Sequence, residues 1–130
     1  MKQLFFLSFL IILFLGSCFK KDANQFESDL TTTSWKITQF LYDNSDNTSD
    51  YSNYVFNFNS DSKLTTLDDV ITYDGSWSTS SSDPVIFNLS MNYWSTELNQ
   101  YWDVVSHSST KIELKHESLG DTDILVFEIN

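Results

Sequence analysis

The sequence predicts an all-β domain of short antiparallel strands, arranged as a barrel or a sandwich. Three observations carry this. From residue 34 onward, aromatic and β-branched residues alternate with polar ones at period two. Short clusters of Ser, Asp, Asn and Gly break the alternation at close intervals. No stretch after residue 33 carries an apolar stripe at helical spacing, so the strands must pack on one another.

The elements follow in order. Trp35-Lys36-Ile37-Thr38 starts the first strand, which runs on through Phe40-Leu41-Tyr42. The alternation slips there, as at a bulge or a bend at a rim. Tyr54, Phe56 and Phe58 alternate with Val55, Asn57 and Asn59, the clearest strand in the chain. Ser60-Asp61-Ser62 turns it into Lys63 to Leu67, a hairpin. Val70 to Tyr73 and Gly75-Ser76-Trp77-Ser78 come next, and Gly75 within a strand marks a bend or a close backbone approach. Thr79 to Asp83 is a polar loop that Pro84 helps to end. Val85, Phe87, Leu89 and Met91 share one strand face, and Trp102 and Val104 share another. Ile112 and Leu114 alternate with Lys111, Glu113 and Lys115, and a turn at Gly120 leads to the last apolar strand, Ile124 to Ile129. This makes seven or eight strands, with no internal repeat and no second domain.

The beginning of the chain has a different character. MKQLFFLSFLIILFLGSC has one positive charge at Lys2, an apolar run from Leu4 to Leu15 and small residues at Gly16 and Ser17. That is the pattern of a secretory signal peptide over residues 1–17. The apolar run is shorter than the roughly 17–25 residues a spanning helix needs. Cys18 is the chain's single cysteine, so no internal disulfide can form. Residues 18–33 read as a tether with a short helix around Gln25 to Leu30, and residues 34–130 as the β-domain.

Leu15-Gly16-Ser17-Cys18 resembles the lipobox of bacterial lipoproteins. The resemblance implies a diacylglycerol on the Cys18 thiol, cleavage before it and often an acyl group on the new amine. Each buried CH₂ contributes about 0.8 kcal/mol, and two or more chains anchor stably where one does not. The implied place is the cell envelope, lipid-anchored to the outer membrane and facing the periplasm or the exterior. Surface lipoproteins of the Bacteroidetes type carry charges just after the acylated Cys. Here the match is partial, since Phe19, Lys20 and Lys21 precede the first acid, Asp22.

Composition narrows the function. The chain carries 18 acidic against 7 basic residues, a net charge of −11, with no arginine. Nucleic-acid binding is therefore not expected, because phosphate neutralisation needs clustered Lys and Arg. Lys20-Lys21, beside the lipid site, suits headgroups instead. His107 and His116 are the only histidines, and Ser106-His107-Ser108 is adjacency rather than a triad. No zinc spacing, Gly-rich phosphate loop or cofactor motif is present in the sequence, so an enzyme is not expected and no cofactor is assigned.

Several segments of the domain resemble bacterial lipocalin-like domains. Ser34-Trp35-Lys36-Ile37 is similar to their entry strand. Tyr54 to Leu64 is similar to their second and third strands, with Ser62 where a Gly is usual. Gly75-Ser76-Trp77, Trp102-Asp103-Val104-Val105 and Ile124-Leu125-Val126-Phe127 also fit. The resemblance implies a small antiparallel up-and-down β-barrel over roughly residues 30–130, and it names no ligand.

Three candidate sites follow. Trp35, Phe56, Phe58, Trp77 and Trp102, with Tyr54 and Phe87, would line a cavity for a small hydrophobic molecule or fill the barrel as its core. Asp43 to Asp50 offers oxygen ligands at spacings that suit calcium, but without the Gly and Glu of an EF-hand loop, and it equally suits a solvated loop. Tyr93-Trp94-Ser95-Thr96-Glu97-Leu98 would contact a sugar or protein, or fold back as a plug. The leading expectation is a membrane-anchored envelope protein binding a small hydrophobic molecule or an envelope partner. The alternative is a non-enzymatic structural or interaction module with a solid core.

Overall fold

Period-two alternation puts one row of side chains on each face of a strand, and here the apolar rows all turn to one interior. The computed structural model describes residues 18–92 and 97–130. It opens with helix α1 (Cys18–Thr31) and continues as β1 (Ser34–Tyr42), β2 (Ser45–Asp46), a 3-10 turn (Thr48–Tyr51), β3 (Tyr54–Phe58) and β4 (Lys63–Asp68). Then come β5 (Ile71–Ser80), β6 (Ile86–Met91), β7 (Tyr101–His107), β8 (Lys111–Ser118) and β9 (Asp121–Ile129).

Each long strand pairs antiparallel with the next, and β1 pairs with β9 from Trp35↔Ile129 to Leu41↔Ile124. The fold is thus a closed, eight-stranded up-and-down barrel, with β2 as a short addition to β1. Closure removes the free strand edges an open sheet would expose. The all-β expectation and the strand count both hold.

Turn chemistry sets the register. Asp43 and Asn44, at φ 49° and 59°, make the two-residue turn from β1 to β2. Ser62, at φ 68°, occupies a left-handed position of the kind that favours Gly. Gly75 is a close-approach glycine, since a Cβ there would lie 2.5 Å from the Ser90 carbonyl oxygen. The slip expected at Phe40–Tyr42 lies earlier, with the register shifting between Ile37 and Gln39. Trp35 and Ile37 point inward before the shift, and Phe40 does so after it.

The main difference from expectation is α1. The segment read as a tether with a short helix is helical from Cys18 to Thr31, and Ala23, Phe26 and Leu30 belong to the core. Their i, i+3, i+4 spacing gives the helix one apolar stripe. That stripe closes the barrel end where β1 starts and the β3–β4, β5–β6 and β7–β8 turns lie. Phe26 meets Phe87 edge-on at 5.4 Å, and the Trp35 indole donates to the Leu30 carbonyl at 2.8 Å. No helix among the described residues is long and apolar enough to cross a membrane.

Candidate functional site

The proposed cavity-lining set lies inside the barrel. Trp35, Phe56, Phe58, Trp77 and Trp102 are all buried. Phe56 and Phe58 stack at 6.4 Å, Phe58 meets Phe87 and Phe127 edge-on at 5.7 Å each, and it meets Trp77 at 6.5 Å. Trp102 packs against Phe40 at 6.4 Å. Ring-to-ring contact of this kind is what a packed core shows. The buried indoles are satisfied internally: Trp77 donates to Asn59 and Lys63 carbonyls, and Trp102 to the Leu98 carbonyl. The Thr66 hydroxyl is buried among these groups without a hydrogen-bond partner.

The opposite end of the barrel carries the acidic loop. Several of its polar groups bond within the fold. Asp46 accepts from the Thr48 hydroxyl and, at 3.0 Å, from the Thr48 amide, and these bonds, the hydroxyl's first, hold the exposed Asp46 carboxyl below its ordinary pKa. The Thr48 hydroxyl in turn accepts from the Phe40 amide at 2.9 Å. Buried Asp123 accepts from the Asp43 amide at 3.0 Å and from the Gln100 side chain at 3.4 Å, tying the β1–β2 turn and the β6–β7 loop to β9. Among the described residues, no three His, Cys, Asp or Glu side chains converge as a metal site. Beneath this rim, Tyr51, Tyr54 and Tyr73 pack together, with Tyr54 and Tyr73 stacked at 6.5 Å. Burial, then the charge of Asp68, pushes the Tyr54 phenol up to about 12.

Other sequence candidates meet the edges of the described chain. Residues 1–17, read from the sequence as a signal peptide, lie outside the described residues, and Cys18 is the first residue of α1. Tyr93 to Thr96 also lie outside them. Of the rest of that segment, Leu98 is fully buried and the Glu97 carboxylate accepts from the Tyr51 hydroxyl at 3.3 Å.

A groove that the sequence did not suggest lies at the helix end. The β6–β7 ladder pairs Ile86–Asn88 with Tyr101–Asp103 and ends where the Val104 amide donates to the Val85 carbonyl at 2.8 Å. Pro84 has no N–H with which to extend it. Beyond that point the chains part around a groove of about 470 Å³. Pro84, Val85, Val104 and Val105 form its apolar wall, and Asp22 of α1, Asp83 and His107 are among its polar groups.

A bulge places His107 there. The β7–β8 register shifts between Val104 and Ser106, leaving Val105 as the extra residue. Without it, His107 would share the outward face of Asp103; with it, His107 turns in under α1. Its Nδ1 lies 2.8 Å from the Asp29 carboxylate, and its ring meets Phe26 edge-on at 5.6 Å. Both side chains are largely covered, at 20% and 14% exposure.

No protein-family model matches the chain, and no curated protein matches it. Among solved structures, it is similar to the crystal structure of a DUF4847 family protein from Bacteroides vulgatus ATCC 8482. The TM-score is 0.55 at 15% identity, over 80% of this chain and 96% of that one. At this identity the likeness concerns the fold, and it matches the closed barrel described above.

The groove escaped sequence reading because its parts are distant. Asp29 and His107 stand 78 positions apart, and only helix docking plus a one-residue bulge bring them together. The one local signal was the loss of alternation at Val104-Val105-Ser106.

Proposed function

We propose that the chain is a membrane-tethered, non-enzymatic barrel module whose interior is packing and whose outer surface does the binding. The observation that supports this reading most directly is the ring network around Phe58. Phe56, Trp77, Phe87 and Phe127 all lie within 6.5 Å of it, centroid to centroid, and occupy the space a carried molecule would need. The internally bonded indoles point the same way, because they leave no indole N–H free to hold a ligand.

The tether rests on the sequence Leu15-Gly16-Ser17-Cys18. Its position at the start of α1 has a mechanical consequence. An acyl group on Cys18 would connect to the barrel through a docked helix of about 20 Å rather than through a flexible linker. The barrel end bearing α1 would then face the bilayer and the acidic rim would face away.

Two measurements test the reading. In membrane fractionation, the natural chain should sediment with the envelope and Cys18→Ser should be released from it. Native mass spectrometry of the protein from its own host should show an acylated chain with no further apolar molecule. A retained hydrophobic ligand would overturn the filled-barrel reading. Release that does not depend on Cys18 would overturn the tether.

A further inference from the structure

We propose that the outer face of β8 and β9 pairs with the same face of a second copy of the chain, as a twofold dimer. The inference rests on the reading that the outer surface does the binding, and it names the partner. Strand register carries it. On β8, Ile112 and Leu114 fill the barrel, so Lys111, Glu113, Lys115 and Glu117 stand in a row outside. On β9, Leu125 and Phe127 fill the barrel, and Thr122, Ile124, Val126 and Glu128 form the outer row. The ladder sets Lys111 beside Glu128, Glu113 beside Val126, Lys115 beside Ile124 and Glu117 beside Thr122. Val126 faces outward yet is only 6% exposed, in a groove of about 340 Å³ that Gln39, Val105 and Ile124 also line.

A twofold interface requires a patch that complements itself. A twofold axis in the plane of contact, perpendicular to β8 and midway between Glu113 and Lys115, meets that requirement. It lays Lys111 of one copy on Glu117 of the other, and Glu113 on Lys115. The same axis lays Ile124 on Val126, because these sit beside Lys115 and Glu113. One axis thus satisfies a charged row and an apolar row at once. Lys111 already pairs with Glu113 at 3.0 Å, and Lys115 with Glu117 at 3.0 Å. An ammonium has three donors, so each lysine can take a second carboxylate from the other copy. A partner of single charge sign would meet like charge at every second position of β8. The net charge of −11 makes copies repel one another elsewhere. The lysines of the barrel are Lys36, Lys63, Lys111 and Lys115, and all but Lys63 lie on this side, with Lys36 beside Glu128. The face spans roughly 20 Å along the strands and 14 Å across β7, β8, β9 and β1. That is less than the ~800 Å² per partner of a standard interface, so the dimer is weak and depends on concentration. A twofold rotation preserves direction along its axis, and barrel strands are tilted. Both α1 ends therefore lean to the same side of the pair, where one bilayer can hold both tethers.

The test is sedimentation equilibrium of the Cys18→Ser chain, which carries no lipid to drive association. A reversible monomer–dimer equilibrium is expected, with ¹H–¹⁵N shifts on dilution confined to β8, β9 and the strands beside them. Two charge variants probe the register. Lys111→Glu with Lys115→Glu makes the β8 row wholly acidic, and Glu113→Lys with Glu117→Lys makes it wholly basic. These side chains are 38% to 63% exposed, so both variants should keep the fold. Each should weaken self-association about tenfold or more, and an equal mixture of the two should restore the dimer. The basic variant also reduces the net charge, so its loss of self-association reports the row and not overall repulsion. A natural row that stays monomeric at millimolar concentration, association that both variants keep, or variants that fail to pair when mixed would each overturn the proposal. None of these results touches the filled-barrel reading, which a retained ligand alone would overturn.

Discussion

Asp29 on the N-terminal helix holds the imidazole of His107 on β7, with 2.8 Å between carboxylate oxygen and Nδ1. The contact fastens the one helix among the described residues to the barrel wall, beside the apolar stripe of Ala23, Phe26 and Leu30. Burial of that stripe supplies the attraction. The polar pair sets where along β7 the helix comes to rest.

Breaking the pair should loosen α1. Asp29→Asn removes a largely covered, charge-assisted hydrogen bond and should lower stability by about 1–2 kcal/mol. His107→Gln should cost a similar amount alone and little more in the double variant, because the interaction is already gone. Urea unfolding of the four proteins measures the coupling. Simple additivity would mean that the pair contributes nothing as a pair.

Gly75 should tolerate no side chain. The Cβ of Gly75→Ala would sit 2.5 Å from the Ser90 carbonyl oxygen and 3.1 Å from the Met91 Cα. Both are backbone atoms of the neighbouring strand, so β5 and β6 must separate locally. A loss of about 1–3 kcal/mol is expected, the range for overpacking. Thermal unfolding reads it directly, and an unchanged midpoint would contradict the close approach.

The β8–β9 turn should be improvable. Leu119 stands at φ 46° before Gly120 at φ 93°, so both turn residues are left-handed, and Leu119 is fully exposed. A branched apolar residue gains nothing there, whereas Asn-Gly is the favoured pair. Leu119→Asn should raise stability by about 1 kcal/mol. In urea the midpoint should rise with the slope unchanged.

Tyr54 should give the protein an alkaline limit. Its phenol is pushed up to about 12, by burial first and then by Asp68. An unfolded tyrosine ionises near 10, so between these values the unfolded chain has lost a proton that the folded chain keeps. The stabilisation is complete below about pH 10 and disappears as pH rises through about 12. In a titration followed at 295 nm, Tyr54→Phe should remove a late-ionising phenol and flatten the fall in stability over this window. A late phenol that persists in Tyr54→Phe would assign the effect elsewhere.

Much of the barrel was legible because strand burial is local. Tyr54, Phe56 and Phe58 alternate with Val55, Asn57 and Asn59, and all three point inward. Val85, Phe87, Leu89 and Met91 do the same. Ser62 sits in the Ser60-Asp61-Ser62 turn that the sequence marks, and it takes the left-handed conformation that favours Gly. The acidic loop was legible as composition only. Nothing in Asp43 to Asp50 says that Asp123, far along the chain, will accept its first amide.

The sequence by itself determined strand content, turn positions and the inward rows, since each depends on neighbours one to four residues away. The tertiary structure alone decided three things. It closed β1 on β9, docked α1 as the floor of the barrel, and brought His107 to Asp29 at the groove. The physical reason is the same in each case. These contacts depend on cumulative register, and a one-residue bulge at Thr38 or Val105 reverses which side chains face inward.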